Sequence, residues 1–363
     1  MSFLKNIFGK KEEPINSYQD FWDWFEANEN KFHKVVKNNG NIEKEFFAKI
    51  SPKLNELREG ILFLTGMLND ETADLIFTAD GNIKNFYFIE EMIEASPNLK
   101  GWKFRAHKPP VDLKNQNIEM GNYNFGSQNI NFYSNVTDQY PDEISITLVH
   151  DDFTEENKTE IINGCYIFLD NFIGELNLST TVDNIGFIEK DKATTELVPI
   201  KKLKDFLIWR EKEFIEKYDG LRRDTKNDNY SGLEAKLENG NALVAIINSD
   251  LLEWDSKASH PWVLSVEIKY DGERNGGMPD NDTYQFLDTI EKNILEELKD
   301  FEGYLNVGRQ TANSLREIYF ACKEFRKPSK VMDQLIPKYS RKITINYEIY
   351  KDKYWQSFER FQA

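Results

Sequence analysis

The residues that could do chemistry in this chain are few in kind and widely spaced. His33, His107, His150 and His260 stand far apart. None belongs to an H-x-x-x-H or H-E-x-x-H pair, the spacing that puts two imidazoles on one helix face for zinc. Cys165 and Cys322 lack C-x-x-C spacing, so no structural zinc site is expected. Cys165 falls on the apolar face of a predicted helix and Cys322 ends a predicted strand, so both read as small buried hydrophobes rather than nucleophiles. No G-x-x-x-x-G-K-[ST], G-x-G-x-x-G or G-x-S-x-G is present, which leaves nucleotide cradling and nucleophile-elbow hydrolysis without support. The run Asp271–Asp282 (DGERNGGMPDND) lacks the order of a calcium loop and its closing glutamate. Asn275-Gly276-Gly277 suits a flexible strand-to-helix connection instead. No catalytic residue, metal or cofactor is expected on these grounds.

Three groups remain as candidates. His150-Asp151-Asp152 closes a predicted strand, a place where loops host catalytic groups. Asp151 and Asp152 equally suit the turn before a helix capped by Thr154, with Glu155 and Glu156 complementing the dipole. Glu90, Glu91 and Glu94 recur at helical spacing, which gives a solvated acidic face where a basic protein could dock. Arg309 and Arg316 flank a predicted hairpin. They are either ion pairs and carbonyl caps, or a clamp for an anion or carboxylate in a shallow groove. The 7 Trp, 16 Tyr and 26 Phe could stack on bases only with a basic surface and an RNP-type strand. Neither 304–309 nor 316–322 supplies one, so core packing explains the aromatics.

The elements that would position these groups follow from periodicity. Helical spacing covers 17–37 and 41–58, the latter restarted at Ser51-Pro52. Residues 61–68 and 73–78 read as a β-hairpin about Asn69-Asp70-Glu71. A helix over 85–95, a strand at 102–106, strands at 129–134 and 143–149, a helix over 155–172 and a strand at 176–182 complete the first half. The second half opens with a helix over 203–218 and a strand at 242–248. Then come a strand at 263–270, a helix over 280–298 opened by Pro279 and an acidic cap, strands at 304–307 and 316–322, a short helix over 329–336 and a strand at 343–349. That last order is β-α-β-β-α-β, the split βαβ pattern of ferredoxin-like folds. The first half gives a similar order from Ala73, and both halves open with D-F-x-x-W, at Asp20–Trp24 and Asp205–Trp209. The expectation is an α+β protein of two tandem ferredoxin-like (βαββαβ-type) domains, each preceded by helical and extra-strand elements. The expected boundaries are a flexible start at 1–16, an acidic domain at 17–190, a linker at 191–202 and a second domain at 203–363.

Composition narrows the function classes. In 363 residues, 46 Lys+Arg stand against 62 Asp+Glu, a net −16, with 40% hydrophobic residues. Residues 1–200 hold 19 basic and 33 acidic side chains, a net −14, and residues 201–363 hold 27 and 29, a net −2. An acidic half repels phosphate backbones, so direct nucleic-acid binding is not expected, whereas a basic protein would be steered towards it. No apolar run approaches the roughly 20 residues of a membrane span. The start MSFLKNIFGKK is too short and broken for a secretory segment. It would hold a membrane surface only weakly. Two cysteines fit a reducing, cytoplasmic setting. Nothing in the sequence specifies an oligomeric state.

From His260-Pro261 to the end, the chain resembles the bacterial family catalogued as domain of unknown function 695. The resemblance rests on Gly277-Met278-Pro279 before a long acidic helix, Gly308-Arg309-x-Thr311 after a strand, Arg316-x-x-Tyr319-Phe320 and Asp352-x-x-Trp355. The first half is similar to the region that precedes this domain in longer members. A more distant similarity, of fold and the late Asp-x-x-Trp, is to small acidic protein inhibitors of ribonuclease E, which implies protein binding by analogy. The expected function is a non-enzymatic binding or regulatory protein whose acidic half meets a basic protein partner. The alternative is an enzyme or small-ligand binder with a site between the two domains, using His150, Asp151, Arg309 or Arg316.

Overall fold

The structure, a computed structural model, describes residues 14–112 and 118–362. The basic-apolar start at 1–11 lies outside the described residues. The chain divides into two compact units, residues 1–108 and 109–363.

In the first unit, Ser17 Oγ accepts the Asp20 N–H and caps α1 (Tyr18–Lys37). A π-turn at Glu43–Phe47 leads into α2 (Ala48–Leu57). Pro52 lies inside α2 rather than restarting the helix at Ser51: the wider π-turn just before it already breaks the regular hydrogen-bond ladder that a proline would otherwise interrupt. Strands β1 (Leu62–Met67) and β2 (Ala73–Thr78) form the expected hairpin, and β3 (Trp102–Ala106) pairs parallel to β2 after α3 (Phe86–Glu94). The core is aromatic: Phe21, Trp22, Phe25, Phe32, Phe46 and Phe77 are fully buried, many edge to face. Residues 14–16 are tied down, since Ile15 is buried and its N–H donates to Glu56 at 2.7 Å.

The second unit begins with a small hairpin, β4 (Ile118–Met120) and β5 (Tyr123–Phe125). Then follow β6 (Ile130–Asn135), β7 (Ser145–His150), α4 (Lys158–Ile173), α5 (Glu175–Thr180), β8 (Asn184–Phe187), β9 (Val198–Pro199) and α6 (Leu203–Tyr218). Their sheet has the order β8-β7-β6-β9, with β7 and β8 parallel. Buried residues of these strands and of α4 and α6 form one core, including Ile146, Leu148, Phe168 and Leu203. The stretch 191–202 contributes β9 and the buried Ile200 to this core. The strand expected at 176–182 is α5 instead. Its apolar Leu178 packs on the core beneath, and the helical turn satisfies its backbone hydrogen bonds internally. Thr154 does not cap α4: its N–H donates to Asn157 Oδ1 at 2.9 Å and the helix starts at Lys158.

The rest of the unit is built on a six-stranded antiparallel sheet. Its elements are β10 (Tyr230–Lys236), β11 (Ala242–Asn248), α7 (Ser249–Leu252), β12 (Trp262–Lys269), α8 (Asn281–Glu297), β13 (Tyr304–Ala312), β14 (Leu315–Cys322), α9 (Arg326–Tyr339) and β15 (Thr344–Lys351). The order is β10-β11-β13-β14-β12-β15. Asp280 Oδ1 accepts the Thr283 N–H at 2.8 Å and caps α8, as its position before the helix implies. Asn313 (φ 48°) and Ser314 (φ 63°) make the two-residue turn between β13 and β14, both in the left-handed region that such turns require. At the bulge in β13, Gly308 (φ 142°) lies so close to β11 that a Cβ would sit 2.3 Å from the Ile246 carbonyl oxygen.

The molecule is thus a mixed α+β protein. The strands read as one βαββαβ unit in the first half belong to two different sheets, β1-β2-β3 and β8-β7-β6-β9. Spacing along a sequence gives the order of strands but not which edge each one joins.

Candidate functional site

A cavity lies in the second unit. It has a volume of ≈ 320 Å³ and opens between α5 and α6 on one side and the ends of β12, β14 and β15 on the other. Ile144, Leu176, Phe214, Ile215, Trp262 and Phe325 give it apolar walls. Charged side chains join them: Glu211, Lys323, Glu324, Arg326, Lys351 and Lys353. Apolar walls with a few convergent polar groups are the usual make-up of a small-molecule site.

The two lysines at the end of β15 form the floor. Lys351 Nζ donates to the carbonyls of Thr180 (2.6 Å) and Thr181 (3.2 Å) and pairs with Asp183 at 2.6 Å. Burial pushes its pKa down to about 8, against the pull of Asp183. Lys353 donates to Asp183 Oδ2 and to the Asp142 carbonyl, both at 2.7 Å, and lies 4.7 Å over the Phe214 ring. Asp183 also accepts the Ile144 N–H at 2.6 Å. Asp142 accepts from Lys217 Nζ at 2.8 and 2.9 Å and from the hydroxyls of Tyr218 and Tyr354, both at 2.8 Å. Burial opposes its ionisation, but these bonds hold its carboxyl below the usual range. The floor is therefore tightly bonded, its two ammonium groups sharing the single Asp183 carboxylate and three backbone carbonyls.

The rim differs. Glu324 is consumed in starting α9, accepting the N–H groups of Arg326 (2.6 Å) and Lys327 (3.0 Å) and the Tyr304 hydroxyl (2.6 Å). Lys323 and Glu211 are exposed, and neither makes an ion pair among the described residues. The Lys323 stem lies along Gly303 (φ 100°), where a Cβ would meet it at 2.9 Å. Beside the rim, His260 is buried and donates or accepts at Ser259 Oγ (2.8 Å). Burial, then Lys323 and Arg222, lowers its pKa to about 4, so the imidazole is neutral at pH 7.

None of the sequence-derived candidates lines this cavity. Arg309 forks onto both carboxylate oxygens of Glu291 at 3.0 Å, and Arg316, 1% exposed, pairs with Asp288 at 2.7 Å beneath the Tyr284 ring. Burial opposes the charge on Arg309, but Glu291 holds its pKa up. Of the two roles open to these arginines, the structure places them in ion pairs with α8. Asp151 pairs with Lys190 at 2.6 Å, and Asp152 sits in the exposed turn where its N–H donates to His150 Nδ1. Glu90 faces His107 at 3.2 Å, the Tyr18 hydroxyl reaches Glu91 at 3.4 Å, and Glu94 is exposed. The structure brings Arg309 of β13 and Arg316 of β14 together against Asp288 and Glu291 of α8. It leaves Asp151 and Asp152 on the other sheet, and the three glutamates in the first unit. The cavity residues carried no sequence signal beyond the spacing of Lys351 and Lys353, which at two positions apart suits one face of an extended segment.

The charge is more localised than halves of the chain convey. Residues 1–108 hold 15 Lys+Arg and 17 Asp+Glu, a net −2. Residues 109–200 hold 4 and 16, a net −12. The glutamate cluster of α3 thus lies in a nearly neutral unit.

Residues 229–362, from β10 to the terminal 3-10 turn, match the family described as "Family of unknown function (DUF695)". No curated protein matches the chain. No solved structure matches it either. Among the described residues no helix is long and apolar enough to cross a membrane, and no cluster of His, Cys, Asp and Glu could hold a metal ion.

Proposed function

We propose that the second unit is a small-molecule-binding module whose ligand occupies the cavity between α5, α6 and the ends of β12, β14 and β15. The observation that carries this reading is the contrast between floor and rim. The buried lysines are bonded to Asp183 and to backbone carbonyls, whereas Lys323 and Glu211, both exposed, line the cavity and make no ion pair among the described residues. Polar groups that are neither structural nor scattered suit recognition. No nucleophile–base pair faces the cavity, and the nearby His260 is held neutral on Ser259, so binding is favoured over catalysis. A thermal-shift screen of the full chain against small metabolites tests it, with Ile215→Trp as a cavity-filling control at an exposed helix position. Ligands that stabilise the wild type and not the variant support the reading. Equal shifts in both proteins oppose it.

A second reading, a docking surface for a basic protein, is favoured by the net −12 of residues 109–200. Asp151, Asp152, Glu155 and Glu156 lie where β7 ends beside its parallel neighbour β8, close to Glu189 and Asp191. A lysine-rich peptide should bind in a salt-sensitive way, and reversing Glu155 and Glu156 to Lys should weaken it. Loss on reversing Glu90, Glu91 and Glu94 instead would move the surface to the first unit.

On the fold, β12-α8-β13-β14-α9-β15 and the sheet order β13-β14-β12-β15 support a ferredoxin-like reading of the family-matching segment, widened by β10 and β11.

A further inference from the structure

The three-stranded sheet of the first unit ends in an unguarded edge. Strand β1 pairs with β2 alone among the described residues, so its outer N–H and C=O groups have no strand partner there. The segment Ile61–Leu68, ILFLTGML, carries no charge and no proline, and its register with β2 runs without a bulge. Leu62, Leu64 and Leu68 are 55, 47 and 47% exposed, and alternation places them on one face. The other described edge strands carry the usual protections against pairing. β3 has Lys103 and Arg105, β10 has Glu234 and Lys236, and β15 has Glu348 and Lys351. β4, β5, β8 and β9 run for no more than four residues.

Independently of the cavity, we infer that β1 is a dimerisation edge: two copies of this chain pair antiparallel through β1 to make one six-stranded sheet, β3-β2-β1-β1-β2-β3. Three observations select a second copy. A strand that sets no charge against these leucines is itself apolar, and β1 is the one long edge of that kind among the described residues. An antiparallel strand pair about a two-fold axis is self-complementary. The first unit is nearly neutral, at net −2, so two copies meet there without the repulsion that the net −12 of residues 109–200 would bring.

The pleat then limits the register. Facing residues of an antiparallel pair point to the same side, so only alignments whose facing numbers sum to an even value keep the leucines of both copies on one face. Centred on Leu64, such an alignment sets Leu62 against Gly66 of the second copy; centred on Thr65, it sets Leu64 there. In either case Gly66, where an added Cβ would meet nothing within 4 Å, leaves room for the leucine. A single strand pair is a small interface, so the association is weak and concentration-dependent.

Sedimentation velocity of the full chain from about 1 µM to about 300 µM tests this. The mass should rise from one copy towards two, and hydrogen exchange at alternate amides of 62–67 should slow over the same range. Leu64→Lys and, separately, Leu62→Lys put a charge on the edge at half-exposed positions, and each should weaken the dimer at least about tenfold. Ile208→Lys, at a 65% exposed position of α6, should leave it unchanged. The wild-type exchange comparison decides the matter where a lysine variant fails to fold. A single copy at every concentration would overturn the inference, and protected β1 amides in that single copy would assign the edge to a segment of the same chain. A dimer that survives both β1 variants, or that Ile208→Lys abolishes, would overturn it equally.

Discussion

Asp183→Ala should be among the most damaging single substitutions in the second unit. The carboxylate is 7% exposed and accepts three charged or backbone donors: Lys351 and Lys353 Nζ and the Ile144 N–H. Removing it leaves two buried ammonium groups without their counter-charge, and breaking a buried ion pair by deleting one partner costs about 3–5 kcal/mol. The orphaned N–H of Ile144 adds about 1 kcal/mol or more. The Thr180, Thr181 and Asp142 carbonyls still hold the lysines, which keeps the total near about 4 kcal/mol. Urea unfolding followed by tryptophan fluorescence measures the loss, and hydrogen exchange at the Ile144 amide locates it. The triple variant D183N/K351M/K353M should be less destabilised than Asp183→Ala alone, because it removes the charges together with their partner. An Asp183→Ala protein within about 0.5 kcal/mol of wild type, the range of ordinary surface changes, would refute the reasoning.

Other outcomes follow from the same geometry. Lys351 has a pKa pushed down to about 8 from 10.5, so between those values the unfolded chain binds more protons than the native one. Stability should therefore rise with pH from about 8 to 10.5, by up to about 3 kcal/mol, and that rise should vanish in Lys351→Met; a stability that falls over that window in wild type would contradict it. Gly164→Ala would place a Cβ 2.0 Å from the Phe125 ring. Overpacking of this kind costs about 1–3 kcal/mol, and Phe125→Leu should rescue it; a denaturation midpoint unchanged by the single variant would sink this. Gly308→Ala, which combines a left-handed φ with a clash against the Ile246 carbonyl, should cost about 3 kcal/mol or more and open the β11–β13 edge to exchange.

Much of the architecture was legible because it is written locally. The helical spacing over 17–37, the acidic cap and Pro279 before α8, and the two apolar runs either side of Asn69–Glu71 each act within a few residues, and the structure places the elements where they point. The run of strands and helices from β12 to β15 was legible for the same reason. Partnering between strands was not. β10, exposed on nearly every residue and rich in polar side chains, has no apolar alternation to announce it and is a strand only because β11 offers an edge. The stretch 176–182 has strand-like composition in Leu176, Leu178 and Val182, but residues 175–180 close on themselves as α5, with Leu178 packed on the core. The cavity was the least legible feature. It is assembled from 144, 176–181, 211–215, 261–262, 323–326 and 351–353, segments that no spacing rule connects. Arg309 and Arg316 attracted notice because paired arginines near a turn suit anions, but the acids that answer them, Glu291 and Asp288, sit on a helix 18 and 28 residues earlier.

The central claim, that the cavity of the second unit binds a small molecule, is met most directly by two-dimensional NMR of the full chain titrated with each metabolite that stabilises it in the thermal-shift screen. The Trp262 indole N–H and the Thr180 and Thr181 amides, which border the cavity, should shift together and saturate, while the Trp22 indole, bonded to the Met92 carbonyl in the first unit, stays in place. Saturable shifts confined to residues away from the cavity, with Trp262 unmoved, would contradict it.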